Sequence, residues 1–109
     1  MLEEFFARRS IAVDRRPYVR RLVEAVAEDT AAVDREIQAS LTNWRLERLS
    51  AIDRAILRLA ATEMLRFEDV PPRVSIQEAL LLAEKYGTDQ SPRFVNGVLD
   101  ALMRRLDRA

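Results

Sequence analysis

Residues 51–67, AIDRAILRLAATEMLRF, constrain the fold more than any other stretch of the chain. Ile52, Ile56, Leu59, Ala60 and Phe67 recur at helical spacing on one face, while Leu57, Ala61 and Leu65 lie on another. A helix that is apolar on two faces is buried from two sides. It belongs at the centre of a bundle, as its most buried element. Ser50 just before it and Asp53 in its first turn have the spacing of a capping box. Glu63 falls in the middle of the first apolar stripe, and a carboxylate there is expensive unless it is hydrogen-bonded. The expectation is structural: Glu63 accepts bonds from amides or from an arginine of a neighbouring segment.

The segments around this helix read as an all-α fold, a helical bundle of about five helices with no sheet. LEEFFA, residues 2–7, is a short helix exposing Leu2, Phe5 and Phe6. Ile11 and Val13 lead to Asp14, a good N-cap, with Pro17 tolerable in the first turn. Val19, Leu22, Val23, Val26, Thr30, Val33 and Ile37 then keep one face of a single long helix. SLTNW, residues 40–44, breaks the pattern, and 45–49 form a single turn. Glu68 to Pro72 make a rigid corner. The next helix starts near Pro72, or at Ser75 if Ser75 and Glu78 cap it, and carries Ile76, Ala79, Leu80, Ala83 and Tyr86. Gly87 is the expected C′ residue. Ser91 as N-cap with Pro92 behind it opens the last helix, 91–106.

Several function classes fall away on composition. The chain has no Cys and no His, which removes thiolate and imidazole metal ligands and histidine acid–base chemistry. GxGxxG, GxxxxGK[ST], GxSxG and HExxH are absent. No metal, cofactor or catalytic residue is therefore expected, and the chain does not read as an enzyme. No apolar run approaches the ~18 residues of a membrane span and no signal-peptide core follows the start, so a cytoplasmic location is expected. Eighteen basic residues balance eighteen acidic ones. All but Lys85 of the basic residues are arginine, which fits either recognition of phosphates and bases or the coding bias of a GC-rich genome. A chain of 109 residues fits one domain.

SPRFVNGVLDALMRRL, residues 91–106, poses a question of its own. Val95, Val98, Leu99, Leu102, Met103 and Leu106 form a clean apolar stripe, yet Asn96 and Gly97 sit inside the helix, where glycine costs about 1 kcal/mol relative to alanine. Phe94, Gly97 and Ala101 share a flank, so the glycine reads as a packing choice that lets another helix approach. Arg93 and Phe94 lie in the first turn, where unpaired backbone N–H groups favour an anion. A guanidinium, a partly exposed ring and free amides suit a phosphate with a stacked base. Alternatively, Phe94 is simply core.

LSAIDRAILRLAATEML, the Val-Pro turn, and SIQEALLLAEKYGTDQSPRFVNGVLDALMRRL together resemble the NusB family of bacterial transcription antitermination factors. The resemblance runs from about Pro17 to Leu106, and FVNGVL after the SP-R step is its most specific part. A weaker form of that motif occurs in the NusB-like domain of some ribosomal-RNA cytosine methyltransferases. The resemblance implies a single NusB-like helical domain over 1–109 that pairs with NusE, a small-subunit ribosomal protein. Together they bind boxA-type RNA and join the RNA polymerase elongation complex, notably on ribosomal-RNA operons. By matching positions, Gln90, Ser91, Arg93 and Phe94 fall on the RNA surface. Gln90 stands where the family often has an acidic residue, which lessens local repulsion of RNA. Leu41, Trp44, Glu47 and Asp53 fall on the protein-partner surface. Trp44, the only tryptophan, sits in a break between helices, where it either anchors an interface or folds onto its own core.

The resemblance also departs from the family pattern. NusB chains usually begin with an additional arginine-rich helix, whereas MLEEFF resembles the family's second helix, and Arg8 and Arg9 do not substitute by position. The implied expectation is an N-terminally shortened domain that covers its open face as a homodimer. The alternative function that follows is a NusB-like assembly module that self-associates and has lost RNA binding.

Overall fold

The computed structural model describes residues 16–107. The LEEFFA helix and the Asp14 cap expected from the sequence lie outside the described residues. Within them are five α-helices and one 3₁₀ turn, with no strand. These are α1 (Arg16–Glu28), α2 (Thr30–Ser40), the 3₁₀ turn (Leu46–Arg48), α3 (Ala51–Arg66), α4 (Pro72–Tyr86) and α5 (Ser91–Asp107).

The single long helix expected ahead of residue 40 is two helices. Asp29, at φ −144° and ψ 53°, is the N-cap of α2, and its carboxylate accepts a 3.3 Å hydrogen bond from the Ala32 amide. The Thr30 hydroxyl turns back to donate to the Val26 carbonyl at 2.6 Å. Arg66 at the end of α3 donates to the other Asp29 oxygen at 2.9 Å, so one side chain both starts α2 and ties it to the central helix. Apolar periodicity continues across the break, which is why the pattern alone reads as one helix. The break also re-aims the stripe: Leu22, Val33 and Ile37 are buried, but Val23 is left 48% exposed.

Helix α3 is the centre of the bundle and packs against each of the other four helices. Ile56, Leu57, Ala60 and Ala61 are buried on its two faces, meeting Leu22, Ile37, Leu82, Ala83, Val95, Leu99 and Leu102 in one apolar cluster. Polar contacts set the orientation of the surrounding helices. Arg58 of α3 forks onto Asp34 of α2 with two 2.9 Å hydrogen bonds, a bidentate geometry suited to guanidinium and carboxylate. That bond raises the Arg58 pKa above its usual value. Arg105 near the end of α5 donates to the Glu36 carbonyl and the Ser40 hydroxyl, pinning α5 to the end of α2.

Glu63 is 2% exposed, as the stripe requires. Two hydroxyls are among its partners. The hydroxyls of Tyr18 in α1 and Ser75 in α4 donate to its two oxygens, the latter at 2.9 Å. Ser75 is thereby used inside the core and does not cap α4, which starts at Pro72 with no side-chain cap. Gly97 also departs from its expected role, since a Cβ there would meet nothing within 4 Å. No helix of the described chain approaches it.

Candidate functional site

The site is built where the turn before α5 meets the turn before α3. Helix α4 ends at Gly87, whose backbone is extended (φ −93°, ψ −165°) rather than left-handed. Its role as a glycine comes from closeness. A Cβ at position 87 would lie 2.5 Å from Ser91 Cβ and Oγ and 2.8 Å from the Ala83 carbonyl oxygen. Ser91 can then fold inward, where it is 2% exposed. Its hydroxyl does not cap α5 in the forward direction. It accepts from the Thr88 amide at 3.0 Å, while the Thr88 hydroxyl accepts from the Gln90 amide at 3.3 Å. The two hydroxyls hold the tight turn that sets the direction of α5. Gln90 and Arg93 are exposed at its start, and Phe94 is half-buried one turn in.

Across from this turn, the segment from Leu41 to Ser50 is shaped by two devices. Asn43 adopts φ 64°, a left-handed conformation that asparagine tolerates better than most residues. The side-chain amide of Gln38 then bridges the loop. It donates to the Trp44 carbonyl and accepts from the Leu46 amide, both at 2.9 Å. Gln38 is a positioning residue that sequence pattern does not reveal, because its task is a long-range clamp rather than part of any stripe. With the loop so held, Trp44 projects outward, 56% exposed. Its ring meets that of Phe94 edge-to-face, centroids 6.1 Å apart at 72°, a favourable aromatic arrangement.

Between the two turns lies an open cleft of about 230 Å³. It gathers Trp44 and Asp53, expected on a protein-partner surface, with Gln90, Ser91 and Phe94, expected on an RNA surface. Ser91 contributes from a buried position. Arg93 lies exposed outside the lining. Leu41 is half-buried against the core and also stands apart. Glu47 is exposed beside the cleft in a 3.0 Å ion pair with Arg45. Its carboxyl is held below the usual range, first by a hydrogen bond from its own backbone amide and further by Arg45 and Arg48.

Asp53 occupies the wall of the cleft in an unusual state. The Ser50 hydroxyl accepts from the Asp53 amide at 3.1 Å, so the forward half of the capping box forms. The return bond is missing, and Asp53 Oδ1 is inaccessible to solvent without any hydrogen-bond partner among the described residues. Aspartate is one methylene shorter than the glutamate usual at this position.

Taken together, the cleft offers aromatic surface and the guanidinium of Arg48, with Arg93 exposed outside its lining. That is equipment for recognition. Among the described residues no group of side chains is arranged to hold a metal ion, and no helix is long and apolar enough to cross a membrane.

Comparison with known proteins agrees with this architecture. The model of the NusB family matches residues 2–104. Among curated relatives, the transcription antitermination protein NusB of Sorangium cellulosum (strain So ce56) is 48% identical over 93 residues, covering 85% of this chain and 66% of the relative. The protein of the same name from Bacillus subtilis (strain 168) is 43% identical over 93 residues, covering 85% and 71%. The solved structure of T. maritima NusB superposes with a TM-score of 0.79 at 38% identity, covering 87% of this chain and 68% of that one. The chain spans 61–66% of the length of the first relatives it matches.

Proposed function

This chain belongs to the NusB family, and from that premise we propose that it is a transcription antitermination factor. It binds boxA-type RNA together with NusE and acts in the cytoplasm on ribosomal-RNA transcription, reaching the RNA polymerase elongation complex through that assembly. It is not an enzyme in this reading. The observation that carries the proposal is the meeting of the two recognition segments: Phe94, beside Arg93 and Gln90, is in ring contact with Trp44 of the 41–53 segment. Bases can stack on the exposed aromatic surface, phosphates can be received by Arg93, and the preorganised Trp44 loop is presented to the protein partner.

Fluorescence anisotropy with a labelled boxA-type RNA, the full chain, and NusE added or omitted provides the test. The expected result is RNA binding that tightens when NusE is present and falls with added salt. Absence of RNA binding in both conditions would overturn the reading. A second reading has one observation in its favour, the 56% exposure of Trp44 in a loop clamped by Gln38. On that reading the chain is an assembly module that self-associates or docks a protein without RNA. Complex formation with NusE, or dimers in sedimentation, with no RNA affinity would select it.

A further inference from the structure

We propose that Arg54 is a positioning residue for the recognition loop, fixing the backbone on both sides of Arg48 so that Glu47 and Arg48 are held ready before a partner arrives. On the reading that this chain docks a protein through the 41–53 segment, on which the inference rests, Arg54 preorganises that surface without touching the partner.

Arg54 stands in the first turn of α3, four residues after the Ser50 cap. Free backbone N–H groups and the positive end of the helix dipole disfavour a cation there. Its hydrogen bonds go back to carbonyls of the preceding turn. Nη1 donates to the Leu49 carbonyl at 3.2 Å, with a longer contact of 3.5 Å to the Glu47 carbonyl. The 3₁₀ turn's own bonds end with Leu49 donating to Leu46, so the carbonyls from Glu47 onward have no partner within the turn. A charged donor bonds such a carbonyl roughly twice as strongly as a neutral one, which offsets the unfavourable placement of the cation.

The Arg54 side chain is half-buried and lies outside the lining of the cleft, so it acts through the loop. Gln38 of α2 holds the part of the loop just before, at Trp44 and Leu46. Two helices thus anchor consecutive parts of one segment. The part that Arg54 holds carries charge: Glu47 is ion-paired with Arg45 at 3.0 Å, and Arg48 lines the cleft. Ordering long charged side chains on a mobile backbone weakens binding, and a backbone fixed in advance avoids part of that loss.

The test uses the full chain with Arg54→Met, which keeps the aliphatic stem and removes every donor, and Arg54→Lys, which keeps one cationic donor group. Backbone order parameters of Glu47, Arg48 and Leu49 are measured by NMR, together with melting temperature and NusE affinity at two salt concentrations. In Arg54→Met the order parameters at these three residues should fall. NusE binding should weaken about three- to tenfold, as expected for ordering one or two side chains on binding. The melting temperature should stay level or rise, because a cation leaves the first turn of α3. The salt dependence of binding should match the parent, and Arg54→Lys should recover part of the affinity. Unchanged loop order or unchanged affinity in Arg54→Met would overturn the proposal. A flattened salt dependence would also overturn it by making Arg54 a direct contact, and so would a loss of affinity that merely follows a lowered melting temperature. A parent chain that does not bind NusE removes the docking reading instead, and the order parameters of the free chain then decide whether Arg54 holds the loop.

Discussion

Ser75 of α4 donates a 2.9 Å hydrogen bond to the Glu63 carboxylate of α3, and both residues are at least 98% buried. With Tyr18 of α1 donating to the other oxygen, one acidic side chain links three helices inside an otherwise apolar core. Taking away either hydroxyl leaves the carboxylate in place with a donor fewer, the situation in which a lost hydrogen bond is most damaging.

Ser75→Ala and Tyr18→Phe are therefore each expected to destabilise the fold by about 1–3 kcal/mol. In the second variant the ring contact with Phe67 at 5.6 Å is retained, so the loss is that of the hydroxyl. Urea unfolding followed by far-UV circular dichroism measures both. Midpoints equal to the parent would show that Glu63 does not depend on these donors.

The two glycines should respond in opposite directions. Gly97 sits inside α5 with open space where a Cβ would go, so Gly97→Ala should stabilise the chain by about 0.5–1 kcal/mol through helix propensity. Gly87→Ala forces a Cβ to within 2.5 Å of Ser91, and overpacking of that kind costs about 1–3 kcal/mol. Thermal melts of the pair decide this. Equal melting temperatures would contradict the different environments of the two sites.

These sites also mark where sequence reasoning reaches its limit. Helices α3, α4 and α5 were legible because Ser50, the Pro71–Pro72 corner and Gly87 punctuate strong apolar periods, and the two-faced pattern of α3 identified the centre of the bundle. The α1–α2 break was hidden because the period runs through it, and Asp29 resembles any exposed helical aspartate until Arg66 is brought to it from 37 residues away. Phe94 and Trp44 could each be picked out by type and position, but not their ring contact. The inward turn of Ser91, the Gln38 clamp and the orphan oxygen of Asp53 all depend on segments that only the fold brings together.

Removing the clamp should be felt at Trp44 more than in the core. Gln38 is exposed and buries little, but its amide supplies both hydrogen bonds that hold the Trp44–Leu46 strand of the loop. Gln38→Ala is expected to lower global stability by no more than about 1 kcal/mol, while tryptophan emission shifts to the red and the Trp44 indole gains fast motion in NMR relaxation. An unchanged indole order parameter would mean that Asn43 and the Phe94 contact alone fix the loop.

The RNA reading makes a pair of predictions that separate stacking from charge. If a base stacks on Phe94, Phe94→Ala should weaken boxA-type RNA binding by about 1–3 kcal/mol. The slope of affinity with salt should stay unchanged, because no phosphate contact is lost. Arg93 is exposed at the opening of α5 and outside the cleft lining, so Arg93→Ala should act through charge. The expected signature is a log–log salt slope smaller by about one phosphate contact, with comparable weakening across RNA sequences. Anisotropy titrations at two salt concentrations measure both quantities. Because Trp44 touches Phe94, the aromatic variant must also be compared by its Trp44 indole resonance, so that a displaced tryptophan is not mistaken for a lost base contact. Unchanged affinity and slope in both variants would remove the start of α5 from the RNA surface and turn attention to the assembly reading.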